Sequence, residues 1–301
     1  MAASRVIGVD VGGTKILAGV VDRDGTVEAQ HEIETPKSSQ ADVVESLDTA
    51  VRAVLHGEVG AIGYGIPSNL DRRTRVALQA TNLPLRHFDL RAHGRETFGL
   101  PIGVENDGNA AAYAEWRFGA GRGTSNLVML TLGTGVGGGI VLDGDLYRGW
   151  AELGHVVVQA GGPPCQGNCH GRGHLETLAS GTAAERAARE LYGPEADSHM
   201  LVQRAREGDA DASERLERIA ELLGAAIGSF ANEFDPEVVV IGGGFGRAAG
   251  ELLLEPALRA ARQEALTPAD KELRIVPAEL GVEAGMVGAG LVAFDALDAS
   301  G

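Results

Sequence analysis

A chain of 301 residues, 44% hydrophobic and 23% charged, has an ordinary globular balance and enough length for two domains. Its net charge of −16 repels nucleic-acid phosphates and anionic lipid heads, so neither nucleic acid nor a membrane is an expected partner. The glycines are clustered rather than periodic, which excludes a collagen-type repeat, and with no apolar leader or long apolar run the expected compartment is cytoplasmic.

The first predicted element is a buried strand, Val6–Asp10, followed by the glycine turn Val11–Lys15 and a second apolar run, Ile16–Val21. Two strands across a glycine turn read as a hairpin, closed by the turn Asp22–Gly25. Apolar residues at Val43, Val44, Leu47, Ala50, Val51 and Val54 have helical spacing and predict a helix over 41–56. Residues 85–100 read as polar and irregular. The apolar segment Leu100–Val104 then brings Glu105-Asn106-Asp107 to a strand end, with a helix beginning near Ala110.

The opening grammar returns in the second half: a strand at Leu127–Thr131, a glycine turn over Gly133–Gly139, a strand at Ile140–Leu142 and the turn Asp143-Gly144. Such an internal duplication predicts two related lobes. Residues 159–173, rich in Gly, Pro and Cys, read as a loop inserted in the second lobe. A helix is predicted over about 212–233, on the stripe Leu216, Ile219, Leu223, Ile227, Phe230 and Phe234, and Asp235-Pro236 stops it. The buried strand Val238–Ile241 runs into Gly242-Gly243-Gly244. Strands and helices alternate throughout, so the class is α/β.

The glycine turns carry the first chemical signal. In Asp10-Val11-Gly12-Gly13-Thr14-Lys15 the glycines free backbone N–H groups to approach an anion, Thr14 adds a hydroxyl, and Lys15 adds charge. Asp10 is placed to hold a hydrated Mg2+ without liganding it directly. The spacing is not that of a P-loop, and the element that follows is a strand, not the helix of a dinucleotide fingerprint. Gly133-Thr134-Gly135 is a second turn of this kind, and two such turns in matching places suit a triphosphate lying between the lobes. Gly242-Gly243-Gly244 admits two readings, a close backbone approach to a flat base such as adenine or an ordinary strand-to-helix turn.

Asp107 at a strand end suits phosphoryl transfer, which needs a carboxylate to take the proton of the attacking hydroxyl; the alternative role is to cap the following helix. Both cysteines of the chain, Cys165 and Cys169, fall within five residues, a poor disulfide framework and a good pair of metal ligands.

Taken in order, Asp10–Lys15, Glu105-Asn106-Asp107, Gly133–Gly139, Glu152-Leu153-Gly154-His155 and the Cys/His loop resemble the ROK family of sugar kinases and repressors, and its bacterial glucokinase branch. The resemblance implies the actin-like ATPase fold, two ribonuclease-H-like lobes around a cleft. The N-terminal lobe would span 1–120, with the terminal helix of about 285–299 a candidate to pack back on it, and the C-terminal lobe 121–301, with a zinc-type loop at 159–176. It also implies ATP and Mg2+, a hexose substrate, structural Zn2+, and a homodimer or homotetramer. Asp107 matches the family's base and Asn106 a neighbouring hydroxyl contact; Asn82, Glu152, His155 and Glu176 match sugar contacts, and Gly65 shapes the pocket wall. Ser68 and Ala151 stand where the family usually has Gly, and Leu85-Arg86-His87 intervenes where an aromatic is common. The family's zinc loop has one His and three Cys; here the matching set is His155, Cys165, Cys169 and His174, with His170 the competing ligand.

Glucose phosphorylation is the function this resemblance implies. Mannose, fructose, N-acetylglucosamine or N-acetylmannosamine as acceptor, polyphosphate as donor, and a non-catalytic sugar sensor are the alternatives. A repressor would carry a DNA-binding domain ahead of the first glycine turn, which begins here about ten residues into the chain.

Overall fold

A computed structural model of the chain describes residues 4–80, 83–167 and 169–300. Its contacts divide into two compact units. The first runs to Gly119 and takes in Leu146–Ala151 and the chain from Val282; the second holds Ala120–Asp145 and Glu152–Gly281. A single boundary near residue 120 therefore does not describe the chain, which crosses between units three further times. Among the described residues, no helix is long and apolar enough to cross a membrane.

In chain order the first unit opens with β1 (Arg5–Val11), β2 (Lys15–Asp22), β3 (Val27–Glu34), α1 (Gln40–Val54) and β4 (Val59–Ile66). The short strands β5 (Ser68–Leu70), β6 (Ala77–Ala80) and β7 (Arg86–Phe88) form a separate small sheet. Then come α2 (Leu90–Phe98), β8 (Ile102–Asn106) and α3 (Asp107–Phe118). In the second unit are β9 (Leu127–Leu132), β10 (Val136–Leu142), β11 (Asp145–Leu146), α4 (Leu175–Ala179), α5 (Gly181–Tyr192) and α6 (Ser198–Arg206). It continues through α7 (Ala210–Phe234), β12 (Val238–Gly242), α8 (Gly243–Ala249), α9 (Glu251–Glu264), α10 (Ala269–Glu272) and β13 (Ile275–Pro277). The last helix, α11 (Ala284–Asp298), belongs to the first unit.

The main sheet of the first unit has the order β3-β2-β1-β4-β8, and that of the second β11-β10-β9-β12-β13. In both, the central strand pairs antiparallel with the strand across its glycine turn and parallel with the next strand on its other side. The duplication legible in the sequence is thus a duplication of sheet topology.

Side chains alternate along a strand, and the first sheet uses the alternation to pack two faces differently. Ile7 and Val9 join a buried core with Val43, Leu47 and Val51 of α1. On the opposite face Gly8, Gly63 and Gly103 stand in register across β1, β4 and β8. A Cβ at these three positions would lie 2.0 Å from Met286 O, 1.9 Å from Ala289 O and 2.3 Å from Val292 O. The glycine row is a bed for the backbone of α11, which is why a helix from the far end of the chain docks on the first strands.

Two predictions differ from the structure. Residues 85–100 are not irregular but hold β7 and α2, whose Asp89 accepts from Ala92 N and whose Gly99 ends the helix in the left-handed region. Only Leu90 and Gly94 of α2 are buried, too thin a stripe to show helical period. The second glycine turn stops at Gly135, because Gly137, Gly138 and Gly139 pair with Thr131, Leu130 and Met129 as part of β10.

Candidate active site

Strands β1, β4 and β8 are parallel, so their carboxyl ends share one edge of the sheet, the edge where open α/β sheets place ligands. The register sets Asp10 opposite Gly65, Gly65 opposite Glu105, and Ile66 opposite Asn106. Gly65 matters for what it lacks: a Cβ there would stand 3.3 Å from Ala110 Cβ and 3.7 Å from Asp107 Cα. The strand end therefore backs directly onto the first turn of α3. The cap of α3 is Asn106, whose Oδ1 accepts from Asn109 N at 3.2 Å. Asp107 is accordingly not the cap but the first helical residue, at the positive end of the helix dipole.

Asp10 lies close enough to feel Asp107. Burial, then the Asp107 charge, push the Asp10 carboxyl up to about 7, against the opposing pull of Lys15. Its Cγ sits 2.6 Å from where a side chain on Gly285 would begin, so α11 also needs a glycine here. The turn after Asp10 is closed by Gly12 N donating to Lys15 O at 2.9 Å. Thr35 pins it further: its hydroxyl donates to Gly12 O at 2.8 Å and its N–H to Thr14 O at 3.0 Å. Gly13 completes this turn. Lys15 opens β2 and pairs with Glu32 at 2.6 Å. Its charge is thus shared with a neighbouring strand rather than left wholly for an anion.

Sequence reasoning overlooked what surrounds Glu105. This carboxylate is 1% exposed and accepts from Asn106 N, Asn109 Nδ2, Arg75 Nη2 and Arg148 Nη1. Arg148 also pairs with Asp295 at 2.5 Å. The partners lie 30 and 43 residues from Glu105 in sequence, and no local pattern marks them. The one visible hint was an acidic residue at the end of a buried strand, which must find a partner.

In the second unit the turn Gly133-Thr134-Gly135 is held by Gly133 N donating to Gly135 O at 3.0 Å. Gly181 N and the Thr182 hydroxyl, both at the start of α5, donate to Gly133 O and Thr134 O at 2.7 Å each. Glu176 accepts from Val136 N at 3.1 Å and occupies the space in which a side chain on Gly135 would stand. Gly242-Gly243-Gly244 is the strand-to-helix turn into α8. Gly243 has φ 82°, and a Cβ there would meet Leu132 O at 2.4 Å, while around Gly244 the space is open. The end of β12 thus backs onto the strand that leads into Gly133. Burial raises the Glu152 carboxyl above its ordinary value; His155 opposes the shift and the Glu176 charge adds to it, so these three form one electrostatic group. Asn82, another predicted contact, lies outside the described residues.

His155, Cys165, Cys169 and His174 converge, with one donor atom from each lying within 4.8 Å of the others. His155 Nδ1 is 3.2 Å from His174 Nδ1, Cys165 Sγ is 3.7 Å from His155 Nδ1, and Cys169 Sγ is 3.5 Å from His174 Nδ1. Zinc bonds of about 2.0–2.1 Å to N and about 2.3 Å to S make a tetrahedron with N–N edges of about 3.3 Å and N–S edges of about 3.6 Å. The donor types and their spacings therefore fit zinc. His170 is not in the group. The bridge between Val157 and His174 draws the two ends of the loop together, which brings His155 and His174 to one place.

A profile described as the ROK family matches residues 6–296. The chain belongs to the ROK family. Among curated ROK relatives, a glucokinase from Thermotoga maritima is 36% identical, covering 96% of this chain and 97% of its own. An N-acetylmannosamine kinase from Haemophilus influenzae is 32% identical, covering 97% and 96%. Among solved structures, a ROK family glucokinase from Streptomyces griseus, in complex with glucose and AMPPNP, matches with a TM-score of 0.83 at 35% identity, covering 97% of this chain and 99% of that one. The two matched five-stranded sheets are those of the actin-like ATPase fold found in ROK glucokinases.

Proposed function

We propose that this ROK-family hexose kinase transfers the γ-phosphoryl group of ATP to the 6-hydroxyl of glucose, with Asp107 as general base. The observation that carries the reading is the carboxylate pair at the strand edge of the first unit: Asp107 on the first turn of α3, and a buried Asp10 whose carboxyl is pushed up to about 7 by burial and then by the Asp107 charge. The attacking sugar oxygen forms a bond to the γ-phosphorus while the bond to the β–γ bridging oxygen breaks, and ADP leaves with that electron pair. The hydroxyl proton passes to Asp107. Help of this kind is worth about 10²–10⁴-fold in rate.

The remaining residues divide by chemistry. Asn106, Glu152, His155 and Glu176 pair with sugar hydroxyls, with Asn82 proposed from sequence alone. The N–H groups of Gly13, Thr14, Thr134 and Gly135 suit phosphate oxygens, with Gly12 and Gly133 closing the two turns through their own N–H groups, and the open space at Gly244 suits a base. Magnesium, bound with ATP, supplies charge neutralisation at the phosphates. Asp10, which feels the Asp107 charge, would hold the hydrated cation without liganding it directly. His155, Cys165, Cys169 and His174 would hold a zinc ion, which would orient the His155 ring so that its other nitrogen is left for the sugar and would stiffen the loop that leads into Glu176.

A second reading, an N-acetylated mannose as acceptor, is favoured by the name of the Haemophilus influenzae relative. Initial rates with ATP and Mg2+ over glucose, mannose, fructose, N-acetylglucosamine and N-acetylmannosamine decide between them. Glucose is expected to have the highest kcat/KM. A higher value for N-acetylmannosamine moves the substrate to the second reading, and no turnover on any sugar overturns both.

A further inference from the structure

Asp107 sits between two residues that a single buried carboxylate holds. Glu105 Oε1 accepts from the backbone N–H of Asn106 at 3.0 Å and from Asn109 Nδ2 at 3.1 Å, one residue before Asp107 and two after it. A carboxylate with 1% exposure needs counter-charge, and two arginines provide it. Arg75 comes from the turn between β5 and β6, with φ 61° and its guanidinium braced on Val104 O and Arg148 O. Arg148 comes from Leu146–Ala151, the short stretch between two segments of the second unit that packs with the first. Its planar fork puts Nη1 on Glu105 Oε2 at 3.1 Å and Nη2 on Asp295 Oδ2 at 2.5 Å. Asp295, on α11, accepts in turn from the Tyr113 hydroxyl of α3 at 3.2 Å. The two carboxylates that Arg148 joins therefore grip α3 at its first turn and again at Tyr113.

We propose that Arg148 is a positioning residue for phosphoryl transfer: by bridging Glu105 and Asp295 it fixes the first turn of α3 and so aims the carboxylate of Asp107. An ion-pair network that reaches from the buried Glu105 and Arg75 to the half-exposed Arg148 and Asp295 is a poor way to gain stability, since desolvation offsets the buried part and solvent screens the rest; what it defines well is geometry. Arginine suits the task because one rigid fork reaches two carboxylates at once, whereas a lysine ammonium is a single point charge. The neighbouring Trp150 anchors the same stretch, its Nε1 donating to Leu70 O at 2.8 Å. This inference rests on Asp107 being the base.

The test is steady-state kinetics on the full chain for Arg148→Met, Arg148→Lys and Asp295→Asn, each alone and combined with Asp107→Ala. Melting curves ensure that rates are compared well below unfolding. Misplacing a reacting group by about 1 Å costs about 10²-fold. Arg148→Met is therefore expected to lower kcat by about 30–100-fold while KM for ATP and for sugar moves less than about threefold. Arg148→Lys keeps one of the two contacts and recovers part of the loss. Asp295→Asn keeps the Glu105 contact and loses least, about 3–10-fold. In the Asp107→Ala background, Arg148→Met is expected to remove no further rate, because its effect runs through Asp107.

An Arg148→Met enzyme with wild-type kcat overturns the proposal, as does an equal loss with and without Asp107. If Arg148→Met does not fold, Arg148→Lys and Asp295→Asn with their Asp107→Ala doubles decide in the same way. Inactive Asp107→Ala with fully active Arg148 variants sinks the positioning role alone. Undiminished turnover in Asp107→Ala sinks the base assignment and the positioning role with it.

Discussion

The two main sheets share one strand order yet carry different side chains at the same edge. In the first, the penultimate residue of the central strand is Asp10, in register with Gly65. In the second, the equivalent residue is Thr131, in register with Gly242. Each sheet thus puts a glycine beside its central strand at the edge where the turn begins. In the first, that glycine brings Asp107 close to a second carboxylate; in the second, the space beside it fills with the Met129 and Ala278 side chains, and a carboxylate, Glu176, sits at the turn beyond. The duplication repeats a scaffold in which a glycine turn follows the central strand and is closed by its own backbone hydrogen bond. A few side chains then set two carboxylates together at the end of the first sheet and Glu176 at the turn of the second.

Three measurements sharpen or break this contrast, the strongest first. Asp107→Ala should lower kcat by about 10²–10⁴-fold while calorimetry still detects glucose binding; turnover within a factor of two of wild type would end the idea of an acidic, catalytic half.

Cys169→Ser touches only the second unit. It should abolish zinc in metal analysis of the purified protein and lower the melting temperature by about 5 °C or more, since structural zinc contributes directly to folding. Wild-type protein that carries no zinc would refute the assignment.

The smallest effect concerns Asp10. Its folded value of about 7 lies above the ordinary 3.8 of an aspartate, so between these values the folded chain keeps a proton that the unfolded chain has lost. Stability therefore falls as pH rises from about 4 through about 7, by something on the order of a few kcal/mol in the absence of cation. Asp10→Asn removes that slope and should melt higher than wild type at pH 8 but not at pH 4. Parallel pH curves for the two proteins would show that Asp10 is already ionised.

Local signals made the repeated hairpins, the long α7 and the Cys165–Cys169 pair legible, because each depends on period, turn chemistry or close spacing in the chain, while His155 and His174 joined the cysteines through the family resemblance. Element α2 was missed because it buries one thin stripe, and the second glycine turn was drawn too long because strand glycines look like turn glycines until their partners are known. The Glu105 network stayed hidden for a different reason. Arg75, Arg148 and Asp295 come from a turn, a short linking stretch and the last helix, with nothing local to join them.

The amino-acid sequence by itself determined the α/β class, the doubled topology, the family and the residue types that chemistry requires, since these follow from patterns within a few residues of one another. Only the tertiary structure decided that Asn106 and not Asp107 caps α3, that Lys15 is paired with Glu32, and that Arg148 ties Glu105 to Asp295. Those outcomes depend on which distant backbone and side chains share a buried edge, and folding brings such groups together through contacts that no local sequence pattern encodes.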